Sequence, residues 1–298
     1  MNVAVTGAAS FVAGALHRYC LDRGIGWCGI DAAPPGPRHA WQLDITRPGW
    51  WEQLPGGIDA IIHLAAISRD FDCRRDPVRA LEVNLGGVCR VAEAAAALGI
   101  RQVVFASSEW VYGDAGDALR TEHDAIDAAS LTGEYALSKL AGERLLAMAV
   151  ERGRVAAATV LRFGIVYGPR EANWSAVEAL DHAVRTRESV EVGSLATARR
   201  FIHVDDIASG IVAAVGRDGF EIFNLTGDRL VTLGAVIETS ARLHGRSPRI
   251  AERAAHQASI RNICNAKARR LLAWEPRIGL PAGLASLHAT QVEKEAAA

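Results

Sequence analysis

The sequence predicts an α/β chain: a doubly wound parallel sheet followed by a smaller C-terminal α/β lobe. Three observations carry that prediction. The apolar runs NVAVT, IDAIIHLAA, RQVVFASS and VAAATVLRFG are continuous rather than alternating, the mark of strands covered on both faces. Long segments with helical character separate them, and parallel strands need such crossovers. Right-handed crossovers then wind the sheet twice about its first strand.

Each element is justified in turn. NVAVT is the first strand, and Phe11 to Arg23 is a helix closed by Gly24. GWCGID is a second strand ending in an acid, and WQLDIT holds a short third. IDAIIHLAA stays apolar up to His63. Asp76 to Leu98 reads as one long helix stopped by Gly99, and RQVVFASS follows as a strand. Leu131 to Arg152 is another long helix before VAAATVLRFG. After Gly168–Pro169 the rhythm changes. Asn173 to Arg187 is helical, and RRFIHVDDIASGIVAAV is a strand running into a helix with Asp205 or Asp206 at its cap. EIFNLTG, Val231 to His244 and RNICNAKARRLLAWEP are assigned to the smaller lobe. The expected division is 1–168 for the sheet domain, rejoined by about 199–217, and 169–298 mainly for a substrate-binding lobe.

Composition narrows the function. Half of the 298 residues are hydrophobic and 22% are charged, which is globular. Lys and Arg total 33 against 34 Asp and Glu, so the chain lacks the basic footprint of a nucleic-acid binder. No apolar run is long enough for a membrane span, and the N-terminus has no basic leader. The five cysteines are scattered without a C-x-x-C, and the histidines form no H-E-x-x-H. No disulfide framework and no metal are expected, and a reducing cytoplasm fits. Cys73 lies in a charged, loop-like stretch compatible with exposure, and is read as an inert thiol.

The first strand enters T-G-A-A-S-F-V-A-G and then a helix. Amides at Ser10, Phe11 and Val12, at the positive end of a helix dipole, suit a pyrophosphate. Gly7 supplies the tight turn. Ser10 and Ala13 stand where the fuller pattern has glycines, and the Ser10 hydroxyl can donate to the phosphate. Asp31, ending the second strand, is placed to accept the ribose hydroxyls of adenosine and to repel a 2′-phosphate, which favours NAD over NADP. Arg38 is a nearby cation that acts against this preference. Asp44, followed by Ile45, is either an adenine contact or a solvated turn residue before Thr46.

Tyr135-Ala-Leu-Ser-Lys139 stacks a phenol and an ammonium on one helix face. A tyrosine is a poor base at neutral pH unless positive charge favours its phenolate, which Lys139 and the positive nicotinamide ring beside Tyr135 are expected to supply, with Lys139 also holding the nicotinamide ribose. Tyr135 then removes a hydroxyl proton while a hydride leaves the same carbon. Ser107 and Ser108 end a sheet strand on its carboxyl side, where ligands bind in open α/β folds. Either hydroxyl is a candidate for the substrate oxygen. Glu109 is a second acid or base, or simply a solvated loop residue.

The ordered set of T-G-x-x-(G)-x-x-(G), Asp31, Asp44-Ile45, HLAA at 63–66, Asn84-x-x-Gly87, SSEWVYG, YALSK, LRFGIVYGP, RRFIHVDD and NAKARRLLAWEP resembles the extended short-chain dehydrogenase/reductases. More narrowly it resembles the NAD-dependent epimerase/dehydratase group acting on sugar nucleotides. The resemblance spans roughly residues 2 to 276. It implies a Rossmann-type sheet and NAD as cofactor, with Leu64, Ala65 and Ala66 lining it and Asn84 near it or structural. It also implies Ser108, Tyr135 and Lys139 as the catalytic set, with Ser107, Ser108 and Glu109 facing substrate and Arg199 on a substrate diphosphate. Such enzymes commonly pair two helices from each chain, which implies a homodimer through Asp76–Leu98 and Leu131–Arg152.

Two departures matter. Glu109-Trp110 replaces the Asp-Glu pair of dehydratases, which disfavours 4,6-dehydration. Ile165 replaces an asparagine usual in sugar-nucleotide enzymes. Ile165 weakens the case for an ordinary UDP-sugar contact and, with the modest length, supports a net dehydrogenase; the leading expectation is an NAD-dependent epimerase of a sugar hydroxyl on a nucleoside diphosphate, with Trp174 and residues 171–175 lining the sugar pocket. The alternatives are a net dehydrogenase or ketoreductase of a free sugar, sugar acid or small carbonyl, and a noncatalytic NAD-binding sensor. The presence of Ser108, Tyr135 and Lys139 together speaks against the last.

Overall fold

The structure, a computed structural model, describes residues 1–114 and 116–296. The strands of the main sheet are β1 (Asn2–Thr6), β2 (Gly26–Asp31), β3 (Trp41–Gln42), β4 (Ala60–His63), β5 (Gln102–Ser108), β6 (Ala157–Phe163) and β7 (Gly219–Leu225). They lie in the order β7-β6-β5-β4-β1-β2-β3, and every pairing is parallel. Strand order reverses beside β1, so the crevice for a ligand opens beyond the carboxyl ends of β1 and β4.

The helices are α1 (Phe11–Leu21), α2 (Gly87–Leu98), α3 (Glu134–Glu151), α4 (Ala176–Thr186), α5 (Val204–Ala213), α6 (Leu233–His244), α7 (Ala266–Leu272) and α8 (Leu280–Ala296). Strand residues alternate between two cores. Val3, Val5, Ile62, Val104 and Phe223 pack on one face against Leu16 of α1 and Ile207 and Ile211 of α5. Ala4, Ile61, Val103, Phe105 and Val160 pack on the other against Val91 of α2 and Leu146 of α3. Both faces are covered, which is why the strands read as continuous apolar runs. A third core, of Tyr167, Val177, Leu180, Val184, Val236, Ile237 and Leu284, holds the smaller lobe together.

Several elements differ from expectation. EIFNLTG is not part of the smaller lobe; it is β7, paired along its length with β6 at the sheet edge. The segment 76–98 is not one α-helix. It runs as Pro77–Leu81, a π-helical turn at Glu82–Gly86 and then α2. The widened turn directs Asn84 inward, where hydrogen bonds replace the regular ladder. α5 is capped by His203, whose Nδ1 accepts from the Asp205 amide at 3.3 Å. Asp206 instead accepts from the amides of Arg277 and Ile278. Cys73 is fully buried on the short helix Asp70–Arg75, with its thiol directed at the Ile67 carbonyl. Among the described residues, no helix is long and apolar enough to cross a membrane.

Candidate active site

The turn after β1 is built for close approach. Gly7 has φ +72°, and a Cβ there would lie 2.6 Å from the Ala65 amide nitrogen. Its carbonyl accepts from Ser10 N, and Ser10 then caps α1 by accepting from Ala13 N at 3.3 Å. The first turn of α1 has no acidic residue, and its leading amides, including those of Phe11 and Val12, precede any helical acceptor. Leu64 N donates to the Thr6 carbonyl, which draws Leu64, Ala65 and Ala66 against Gly7. Beneath them Thr6 Oγ1 meets His63 Nδ1 at 2.7 Å, and burial pushes that imidazole down to about 3, so it stays neutral.

At the end of β2 the Asp31 carboxylate accepts from Ala9 N and Ala33 N, both at 2.9 Å. Each oxygen keeps one lone-pair direction for a further donor. The Arg38 guanidinium sits on the same turn, donating to the Ala9 carbonyl at 2.9 Å. Asp44 folds into a local turn, accepting from Thr46 N and Oγ1, with Arg79 at 3.7 Å. Ile45 is buried under it. Asn84 clamps the loop after β4 to α3: it accepts from Ile67 N at 2.8 Å and donates to the Ile67 carbonyl and to Ser138 Oγ.

Tyr135 stands in the first turn of α3, with its hydroxyl hydrogen-bonded to Ser108 at the end of β5. Lys139, one turn on, is 2% exposed and donates to the Ala106 carbonyl at 2.8 Å, with its Nζ 5.8 Å from the Tyr135 ring centre. Burial pushes the Tyr135 phenol up to about 12, against the pull of Ser108, and pushes Lys139 down to about 8. The expected lowering of the phenol by its helical neighbour is thus outweighed by desolvation, because the ammonium is turned onto a backbone carbonyl.

Ser107 faces the other way. Its hydroxyl donates to Glu143, one turn beyond Lys139 on α3. Glu143 holds Arg162 bidentately, with Nε at 3.0 Å and Nη2 at 2.6 Å, and Arg162 donates to Tyr112 at 2.9 Å. Tyr112 in turn donates to Asn224 at 2.8 Å. Ser107, Arg162 and Asn224 are register partners across β5, β6 and β7, so this buried network locks the sheet to α3 just below the dyad.

Tyr135 opens on a cavity of about 260 Å³ whose walls include Trp110, Gly113, Asp114, Ser259 and Arg261. Glu109 lies fully buried behind it, and burial pushes its carboxyl up to about 7 against the pull of Arg199 and Arg261. Arg199 is almost fully engaged: Nη1 donates to the Ala198 and Ser259 carbonyls, Nη2 to Ser259 Oγ, and Nε lies 3.4 Å from Glu109. Arg261 is different. Its Nε donates to the Gly113 carbonyl at 2.9 Å and its guanidinium lies 3.9 Å over the Trp110 ring. Its Nη1 is buried with no hydrogen-bond partner.

A family model described as the NAD dependent epimerase/dehydratase family matches residues 3–226. The chain belongs to this family. Among curated relatives, a UDP-glucuronate 4-epimerase of Thermodesulfobacterium geofontis is 27% identical over 82% of this chain and 76% of its own. A UDP-glucose 4-epimerase of Mycolicibacterium smegmatis is 28% identical over 96% of each chain. Among solved structures, MoeE5 in complex with UDP-glucuronic acid and NAD superposes with a TM-score of 0.86 at 27% identity, over 98% of this chain and 100% of that one.

Of the motif residues, Tyr135 lines the cavity, Ser108 ends β5 beside it, and Gly7 and Asp31 lie at the carboxyl ends of β1 and β2. Ser107 is drawn away from the cavity by Glu143, and Arg199 is tied to protein acceptors. Trp174 is also elsewhere: it donates to the Arg170 carbonyl and lines a separate surface cavity with Leu180 and Arg187. Arg261, on the cavity wall, and Glu143, which holds Ser107 and Arg162, are positions that the sequence reading does not single out. Glu143 carried a signal, since it continues the i, i+4 stripe of Tyr135 and Lys139. Arg261 carried none, because its place at the cavity depends on a contact with Gly113 far away in the chain.

Proposed function

We propose that the protein is an NAD-dependent epimerase of a sugar hydroxyl carried on a nucleoside diphosphate. The observation that carries this reading is the Tyr135–Ser108 pair at the mouth of a cavity into which a buried, partly unpaired Arg261 projects. A hydroxyl proton acceptor and an anion anchor lining one cavity are what a substrate with a reactive sugar and a charged diphosphate requires. NAD fits the residues present: Gly7 leaves room where a Cβ would fill the turn, the start of α1 offers free amides, and Asp31 keeps acceptor capacity for a ribose. When bound it supplies a hydride acceptor and a positive ring that favours the Tyr135 phenolate. Tyr135 takes the proton of the sugar hydroxyl, Ser108 holds the same oxygen, and Arg261 keeps the diphosphate fixed while the keto sugar turns. Tyr135 then gives its proton back to the same oxygen as the hydride re-adds to the opposite face of the turned carbonyl.

The test is turnover of UDP-glucose and UDP-glucuronate with added NAD. The expected result is the C4 epimer without net NADH. Stoichiometric NADH would make the protein a net dehydrogenase, and failure of every sugar nucleotide to react or to raise the melting temperature would remove the diphosphate from the reading. The same proposal includes a homodimer in the cytoplasm. A cleft of about 590 Å³ between α2 and α3 is lined by Ala92, Ala96, Leu145 and Met148 together with Glu93, Arg152 and Arg154. That lining is self-complementary under a two-fold axis, so a second copy is its occupant.

A further inference from the structure

Three helices of the smaller lobe converge on one carboxylate far along the chain from Tyr135. Asp181 on α4 is 1% exposed. Its Oδ1 accepts from Ser240 Oγ at 2.7 Å and lies 3.1 Å from Nε2 of His244, the last residue of α6. Its Oδ2 lies 2.9 Å from Nε2 of His288 on α8. The two imidazoles meet edge to face with centres 4.7 Å apart, and one ligating atom from each of the three residues falls within 4.8 Å of the others.

We propose that Asp181, His244 and His288 form a binding site for one divalent transition-metal ion, zinc by preference. Two imidazole nitrogens and one carboxylate oxygen suit zinc and its neighbours, whereas magnesium and calcium call for oxygen donors. Bonds of about 2.0–2.2 Å in a tetrahedron put neighbouring ligand atoms roughly 3.3 Å apart. His244 Nε2 lies 3.1 Å from Oδ1 and His288 Nε2 lies 2.9 Å from Oδ2, with one ligand atom from each residue within 4.8 Å of the others, so a rotation of the carboxylate and a shift of the rings bring the set to that spacing. His288 Nε2 adds an independent observation. It is buried beside Asp181 Oδ2 yet makes no aligned hydrogen bond with it. Ser240 fixes the carboxylate from behind, as hydrogen bonds to ligating carboxylates do.

The His244 and His288 side chains are 16% and 22% exposed against 2% for Asp181, so an ion enters from the histidine side and a water completes the coordination there. The bound ion cross-links α4, α6 and α8. Arg185, one turn beyond Asp181 on α4, adds a positive charge on the same helix. Each ligand comes from a different helix with no local spacing, so the search for metal motifs in the sequence gave no expectation of a metal.

The experiment is calorimetric titration of the tag-free full chain with zinc near neutral pH, paired with cobalt(II) absorption and a zinc-dependent thermal shift. One ion per chain, a tetrahedral cobalt spectrum and a raised melting temperature are expected. His244→Gln and His288→Gln should each weaken zinc by about tenfold or more, while Arg185→Gln should tighten it. His244 lies at a helix end, so its variant serves if replacement of His288 prevents folding. Absence of zinc binding, or binding unchanged by both histidine replacements, would overturn the proposal, and so would a cobalt spectrum without tetrahedral character. None of these readouts depends on turnover, so the outcome is separable from the epimerase reading.

Discussion

Tyr135 is asked to behave as a base although burial pushes its phenol up to about 12. Its contribution therefore rests on where the oxygen sits, against Ser108 and the cavity, more than on an ionised ground state. Tyr135→Phe should cut kcat by roughly 10²–10⁴-fold, the span of general-base assistance, while leaving NAD binding intact. Equal kcat in the two proteins would move the chemistry elsewhere. Glu109 gives a second prediction. Its carboxyl is pushed up to about 7 from an ordinary 4.5 because it is fully buried. The folded state then holds a proton that the unfolded chain has released, so stability falls as pH rises between those values and levels off above the upper one. The loss is roughly 3 kcal/mol at most, at ~1.4 kcal/mol per unit. Glu109→Gln should remove that slope. The melting temperature of wild type relative to the variant should drop between pH 5 and 8, and parallel curves would show that Glu109 does not titrate there.

Gly7 and Glu143 show how single positions hold whole elements. Gly7→Ala would place a Cβ against the Ala65 backbone at a positive φ. Forcing the turn open should cost about 1–3 kcal/mol and weaken NAD more than about tenfold (~1.4 kcal/mol), read by thermal unfolding and NAD titration. Glu143 and Arg162 each have side chains 4% exposed. Glu143→Ala strands the guanidinium among apolar residues of β6 and α3, with an expected loss of about 3–5 kcal/mol by urea unfolding. A loss below about 1 kcal/mol would mean that water reaches the pair. These elements also mark what the sequence can show. The strands, the turn at Gly7 and the Tyr135–Lys139 pair were legible because apolar runs, a glycine and i, i+4 spacing are local signals. β7 was misplaced because EIFNLTG follows the smaller lobe's segments in the chain, and only its pairing with β6 returns it to the sheet. The broken helix before α2 was hidden because its cause is a tertiary contact, Asn84 reaching Ile67 and Ser138. Ser107 and Ser108 are adjacent in sequence but point to opposite faces of a strand, and composition does not say which faces the cavity.

At the scale of the molecule, the proposed homodimer rests on the cleft between α2 and α3. It is lined by Ala92, Ala96, Leu145 and Met148 together with Glu93, Arg152 and Arg154, and Glu93 also pairs with Arg90 at 2.7 Å. Under a two-fold axis, α2 of one copy lies on α3 of the other, which sets Glu93 against Arg152 twice and closes a four-helix arrangement. Ala96 is exposed, so a larger residue there disturbs little of the chain's own packing. Ala96→Glu would bury an acid in each half of the contact next to Glu93. Wild type should sediment as a dimer at micromolar concentration and Ala96→Glu as a 31.8 kDa monomer. The cavity at Tyr135 is walled by residues other than those of α2, so the monomer should keep its ability to bind NAD. A monomeric wild type would refute the pairing, and a dimeric variant would place the interface on another face.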